Sequence, residues 1–441
     1  MSWFLELERS LQATAILGVL ATLVLVGAAK WSASATTLLG LVATVLAAVP
    51  AVCMPTSATF PLLVLLAATL LCVLLVRGDE LADARHRAET VALILFGSAG
   101  ACVLVTADNL LSLLIGFESM SLSVAVLSGI GRGPRALEAA FRFFVLGAIA
   151  ASMMIYGIGL HAYATGSFQI GATVVTGEGL STLHTIGHLL LLLGIAFELA
   201  IVPLQFGALG VCQAGPIGGV AFAMTVSKVG AAFALQRLVG GDRLLQDVLV
   251  ALAVTTIVWG TFGALAQRTL RGLLANSAVA QGGFVALAVA CGASAHSTTC
   301  FYLAVYVAAA ALVLAAISGD RDDMELTAIR TRPFGVMRRL ALVVGLMSLA
   351  GLPPTPGFLA KFLVLARSWE TAGVTWTVVA ALGGVFGALY YMRPVPDLLA
   401  GGASITNASR PTMGVRLAIA LAVVVTTVCA VAPHLAMRLA A

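Results

Sequence analysis

Five ionisable residues interrupt apolar runs in this 441-residue chain: Glu118 in "SLLIGFESMSLSV", Glu198 in "GIAFELAIVPLQF", and Arg142, Lys228 and Lys361. A charge at the centre of a membrane helix costs about 2.5–3.5 kcal/mol on insertion scales, so such residues mark ion or proton paths by default. Protons do not cross hydrocarbon without titratable groups and water, and two acids with two lysines on separate segments supply those groups. Internal ion pairs that tie helices together are the alternative reading of any one of them.

Prolines stand beside these charges. Pro203 follows Glu198 by five residues, and "GLPPTPGFLAKF" sets Pro353, Pro354 and Pro356 ahead of Lys361. Each proline removes a backbone donor and clashes with the preceding turn. Backbone freed at membrane depth is tolerated inside protein or around a water-filled cavity, and matched broken helices in two halves point to a transport site.

Other chemistry is set aside. The seven cysteines, Cys53, Cys72, Cys102, Cys212, Cys291, Cys300 and Cys429, form no C-x-x-C pair, which argues against an iron–sulfur cluster. His184 and His188 lie four apart on one helical face, a spacing that suits metal, but no third ligand is evident nearby and no metal is expected. "GIGRGP" is glycine-rich but follows no strand, which excludes the usual nucleotide cradle. Glu138 and Arg142, four apart, are placed to pair with each other. The loop "DRDDMELTAIRTRPFGVMRR" mixes both signs and reads as a solvated connection or partner contact, not a nucleic-acid surface.

The elements that must position these residues are membrane helices. Hydrophobic residues make up 61% of the chain and charged ones 10%, against roughly 25% charged in a soluble domain. Apolar runs long enough to span about 30 Å as a helix recur about fourteen times, near 13–29, 34–53, 58–77, 89–107, 109–129, 137–163, 183–210, 216–239, 245–267, 271–291, 297–317, 336–364, 372–393 and 413–436. The fold class is therefore all-α. Most of the 24 Lys and Arg residues, Lys30, Arg85, Arg135, Arg271 and Arg338 among them, fall after odd-numbered runs; only Arg237, Arg243 and Arg367 follow even-numbered ones. By the positive-inside rule the odd connections are cytoplasmic and both termini lie outside. The start, "MSWFLELERSLQ", lacks a basic n-region and is read as leading into a retained first helix. Five-helix repeats of inverted topology over helices 4–8 and 9–13, with helices 7 and 12 broken, divide the chain at 1–88, 89–240, 241–393 and 394–441.

These stretches carry a family resemblance. "LLIGFESMSLSVAVLSGI" with "RALEAAFRFFVLGAIAASMMIYGIGLHAYATGS", then "TVSKVGAAFAL", "LRGLLANSAVAQGGFVAL" and "SLAGLPPTPGFLAKFLVLA", resemble in order the antiporter-like subunits of respiratory complex I and of multisubunit cation/proton antiporters, most of all the subunit N group of NADH-quinone oxidoreductases. The resemblance covers about residues 89–393. It implies a proton path through Glu118, Lys228 and Lys361, with supporting roles for Arg142, Gln205 and Gln281. It also implies a multi-pass protein of the bacterial inner membrane, surrounded by lipid, that works beside homologous membrane-arm subunits and not as a monomer. No cofactor sits on this chain; NADH, FMN, iron–sulfur clusters and quinone are implied on partner subunits.

The departures from the family pattern gather in the first half. In "FELAIVPLQFGALGVCQAGP", Glu198 stands where the family has a lysine, Gln205 replaces a histidine, and a W-x-P-D signature has become "GALG"; Gln281 stands where a histidine is common. Glu118 and Glu198 would then share a proton where relatives form an ion pair, because two nearby carboxylates cannot both ionise cheaply. Three functions stay open: proton translocation in a redox complex, exchange in a cation/proton antiporter or ion-coupled uptake complex, and a structural relay.

Overall fold

The computed structural model describes residues 9–27, 33–53, 58–78, 86–130, 133–172, 174, 179–319, 324–332, 334–400, 411–434 and 437. Among them the chain is helical with no strands. The helices are α1 (Arg9–Gly27), α2 (Ala33–Cys53), α3 (Thr59–Gly78), α4 (Arg87–Thr106), α5 (Leu110–Gly129), α6 (Pro134–Thr165), α7 (Leu180–Ala196), α8 (Phe206–Ala214), α9 (Ile217–Met224), α10 (Val226–Val239), α11 (Arg243–Leu265), α12 (Leu270–Ala290), α13 (His296–Ile317), α14 (Val336–Ala350), α15 (Pro356–Thr371), α16 (Val374–Met392), α17 (Val395–Ala400) and α18 (Met413–Val431).

Ten spans among the described residues are long and apolar enough to cross a membrane, and three shorter apolar helices accompany them. With the broken pair α14–α15 these account for every run expected from the sequence. Spans 7 and 12 are broken as expected, into α7 and α8 and into α14 and α15. Span 8, read as one run at 216–239, is also interrupted, at Thr225, which separates α9 from α10. No proline stands there. The Thr225 hydroxyl donates back to Ala221 O at 2.6 Å, and such back-bonding bends helices.

The two repeats are visible in the backbone. At the start of α5, Leu110 N–H donates to Phe168 O (2.9 Å) and Ile170 N–H to Asp108 O (3.1 Å), giving a bridge between Asn109 and Gln169. At the start of α12, Leu270 N–H donates to Met324 O (2.8 Å) and Leu326 N–H to Arg268 O (2.9 Å), bridging Thr269 and Glu325. Asn109 and Thr269 also cap their helices, accepting from Leu111 N–H at 2.8 Å and Gly272 N–H at 3.2 Å. Arg237, at the end of span 8, pairs with Asp108 and donates to the last carbonyls of α4, Thr106 O at 3.2 Å and Ala107 O at 3.0 Å. Arg393, at the end of span 13, treats α11 alike through Leu265 O (2.9 Å) and Gln267 O (3.1 Å). Cations at helix C-termini satisfy orphan carbonyls and oppose the dipole. Five spans per repeat is an odd number, so the second copy runs inverted.

The core lies where the repeats meet. The spans formed by α9–α10, α12 and α13 are buried throughout, whereas only about a third of α6, α16 and α18 is buried. Exposed apolar side chains such as Phe141, Phe144, Phe262 and Val385 suit helices that face lipid or neighbouring helices.

Candidate functional site: two broken helices meeting on one buried helix

In the first break, residues 197–205, the backbone leaves helical geometry: Ala200 sits in the left-handed region at φ 60° and Val202–Pro203 is cis. A non-glycine residue there costs about 1–3 kcal/mol. The freed groups are paired within the protein. Val202 N–H donates to Thr256 Oγ1 at 3.0 Å, and Leu199 O accepts from Lys228 Nζ at 2.9 Å. Lys228, on α10 just past the Thr225 bend, is buried, as is Glu198.

The Glu198 carboxyl faces the hydroxyls of Ser121 and Ser227 and interacts with the charges of Lys228 and, more weakly, Glu118. Its Oε1 lacks a hydrogen-bond partner among the described residues. Glu198 therefore points inward, as the sequence predicts. A direct Glu118–Glu198 hydrogen bond is not present, and Glu118 is half-buried. Gln205 is buried at the start of α8, and its Oε1 likewise has no partner.

In the second break, residues 351–355, Pro353–Pro354 is cis, while Pro356 is the first residue of α15, a position where a missing N–H costs nothing. Lys361, one turn into α15, reaches back to Leu349 O (2.8 Å) and Ala350 O (3.0 Å), and its ammonium stands 5.2 Å from the centre of the Phe284 ring. Gln281 on α12 donates to the same Leu349 O at 2.9 Å and to Tyr391 Oη at 3.2 Å, and accepts from Tyr302 Oη. A small cavity beside Lys361 is lined by Gln281, Tyr302, Tyr306 and Ser348.

Both breaks converge on α12. A Cβ at Gly282 would collide with Leu199 O and lie 3.0 Å from Lys228 Nζ, so only glycine lets the first break close on this helix. The preceding residue, Gln281, holds the second break. Two consecutive residues of a fully buried helix thus touch the carbonyls that hold both lysines.

The remaining residues divide. Arg142 does not join this axis; it lies exposed on α6 and pairs with Glu138, because its register carries it to the outer face. Sequence reasoning missed the serines, which look like ordinary small residues, and Tyr302 and Tyr391, whose hydroxyls matter only once α12 is placed. It also treated Arg271 as a loop charge, whereas Arg271 is buried and donates to Gly215 O at 2.9 Å. His184 and His188 do have a third histidine beside them. His161 on α6 brings its ligand atom, with theirs, within 4.8 Å of one another.

Inverted five-helix repeats, broken within their apolar spans and lined with buried and half-buried acids and lysines, define an ion-translocating membrane protein of the antiporter-like kind. The chain belongs to the NADH:quinone oxidoreductase/Mrp antiporter transmembrane family, whose pattern matches residues 107–387. It is 32% identical over 365 residues to NADH-quinone oxidoreductase subunit N of Geobacter metallireducens, covering 80% of this chain and 78% of that one. It is 37% identical over 314 residues to subunit 14 of the Thermus thermophilus enzyme, covering 69% of each. Its fold superposes on a chain of respiratory complex I from Thermus thermophilus, solved with bound aureothin, with a TM-score of 0.81 at 28% identity, over 97% of this chain and 98% of that one.

Proposed function

We propose that this chain is a proton-translocating membrane-arm subunit of a complex I-type NADH-quinone oxidoreductase, carrying protons along Glu118, Glu198, Lys228 and Lys361. The observation that carries the reading is the convergence of both breaks on Gln281 and Gly282, which places the two lysine sites against adjacent positions of one helix. Each lysine is held by neutral carbonyls, not by a carboxylate, so it can lose a proton without stranding an opposite charge. Glu198, with serine hydroxyls on one side and an unpartnered oxygen on the other, is arranged to accept one. This chain does no electron chemistry; NADH, FMN, iron–sulfur clusters and quinone belong to partner subunits. The parity of the arginine-rich connections supports both termini on the outer side of the inner membrane.

Purification of the native assembly with mass measurement and subunit identification tests this. One copy of the chain beside homologous antiporter-like subunits and flavin and cluster subunits is expected, with NADH-driven proton movement in vesicles. A lone active monomer would contradict the proposal. Glu198 in the usual lysine position favours one second reading, exchange in a cation/proton antiporter, and an assembly holding antiporter subunits but no redox module would establish it.

A further inference from the structure

We propose that His161, His184 and His188 form a binding site for a borderline transition-metal ion, Zn2+ in the first instance, clamping α6 to α7 at the end of the bundle opposite the arginine-rich connections. The helices approach closely where Gly157 and Gly187 face each other: a Cβ on Gly157 would lie 2.6 Å from Gly187 O, and one on Gly187 2.8 Å from Gly157 O. One turn beyond Gly157 comes His161, and on either side of Gly187 stand His184 and His188. The ring centroids are 4.1–5.1 Å apart, and the three ligand nitrogens lie within 4.8 Å of one another. Tetrahedral Zn2+ with bonds of about 2.0–2.1 Å needs neighbouring nitrogens roughly 3.3 Å apart. Small side-chain rotations close the difference.

The protonation pattern fits ligation. His161 Nε2 lies 3.0 Å from Gln169 O, and a carbonyl only accepts, so that nitrogen carries the proton. In the neutral ring the lone pair is then on Nδ1, which faces His188 Nε2 at 3.0 Å. A backbone carbonyl behind a metal-bound imidazole is the usual way its tautomer and orientation are held. Buried His184 Nε2 has no hydrogen-bond partner among the described residues, and native buried polar atoms seldom go without one. A cation in the centre of the triangle would satisfy it.

The chemistry selects the ion. Three imidazoles without a thiolate suit Zn2+, Cu2+ or Ni2+, whereas Mg2+ and Ca2+ require oxygen ligands. His184 and His188 line a cleft of about 520 Å³ together with Asp108, Arg237 and Asp242. Water in that cleft would fill the fourth position. Arg237 is engaged with Asp108, which leaves the Asp242 charge to favour a cation. The site is separate from the proton axis: His188 precedes Glu198 by ten residues, roughly 15 Å at 1.5 Å per residue.

The test uses the assembled complex, stripped with chelator and dialysed against Zn2+, with bound zinc counted per complex and its ligands read by X-ray absorption. The parent should retain one Zn2+ more than assemblies bearing His184→Ala or His161→Gln, with a shell of three imidazole nitrogens and one oxygen. Retention equal to the parent in His184→Ala, or no zinc held by the parent, would overturn the proposal. If the variants do not assemble, the parent's spectrum decides, since retained zinc lacking three imidazoles refutes the site.

Discussion

In the first repeat the broken span carries a carboxylate, Glu198, and the cation held by its freed carbonyl, Lys228, comes from the next span; in the second repeat the cation, Lys361, belongs to the broken span itself and binds two carbonyls just upstream. A hydrogen bond from a charged group contributes about 1.5–3 kcal/mol, against an insertion cost near 2.5–3.5 kcal/mol. Two such bonds offset the cost of Lys361, and Gln281 steadies the same carbonyl. One bond leaves Lys228 close to balance, and Glu198 keeps an oxygen without a partner among the described residues. One backbone device thus holds a settled charge in the second repeat and a movable pair in the first.

Removing the settled charge should do the most damage. Lys361→Ala is expected to lower proton translocation at least about tenfold, a barrier change near 1.4 kcal/mol or more, while native mass still reports a complete assembly. Full activity would mean that Lys361 only packs. Gly282→Ala strikes the shared helix instead. Its methyl group would drive into Leu199 O, and overpacking of this kind costs about 1–3 kcal/mol, so the thermal midpoint and translocation should fall together; a change in neither would show that the repeats do not meet there.

The acidic pair of the first repeat separates more finely. Glu198→Gln preserves the shape that faces Ser121 and Ser227 and should be milder than Glu118→Ala, compared as proton uptake per electron. Glu198→Lys restores the residue type usual in the family, yet it should fail here, since Lys228 would face a second cation. If Glu198→Lys works as well as the parent, the first repeat follows the ordinary ion-pair pattern. The smallest expected effect concerns the backbone. Ala200→Gly removes the left-handed strain and should raise stability by up to about 1 kcal/mol, visible as a small rise in thermal midpoint. The second repeat already has Gly351 at φ 78° next to its break, so no equivalent gain exists there.

How much of this was legible in the sequence follows from the range of each interaction. Apolar runs, prolines beside charges and the parity of basic loops are local signals, and they yielded the spans, both breaks and the inward glutamate. The bend at Thr225 comes from a single hydroxyl back-bond, which composition does not mark. His161 was missed because its partners lie on another helix, and the contact is made by Gly157 and Gly187, which look like any membrane glycines. Arg237 and Arg393 read as loop charges until the repeats are superposed, when both prove to cap the same helix end. Arg142 misled because family register places a cation there while the fold turns it outward.

Lys228→Ala in the intact, reconstituted complex tests the central claim most directly, with protons moved per electron measured in sealed vesicles and assembly confirmed by native mass. The convergence of both breaks on Gln281 and Gly282 predicts that the ratio falls while electron transfer persists. An unchanged ratio from a fully assembled Lys228→Ala complex would contradict a proton path through this chain.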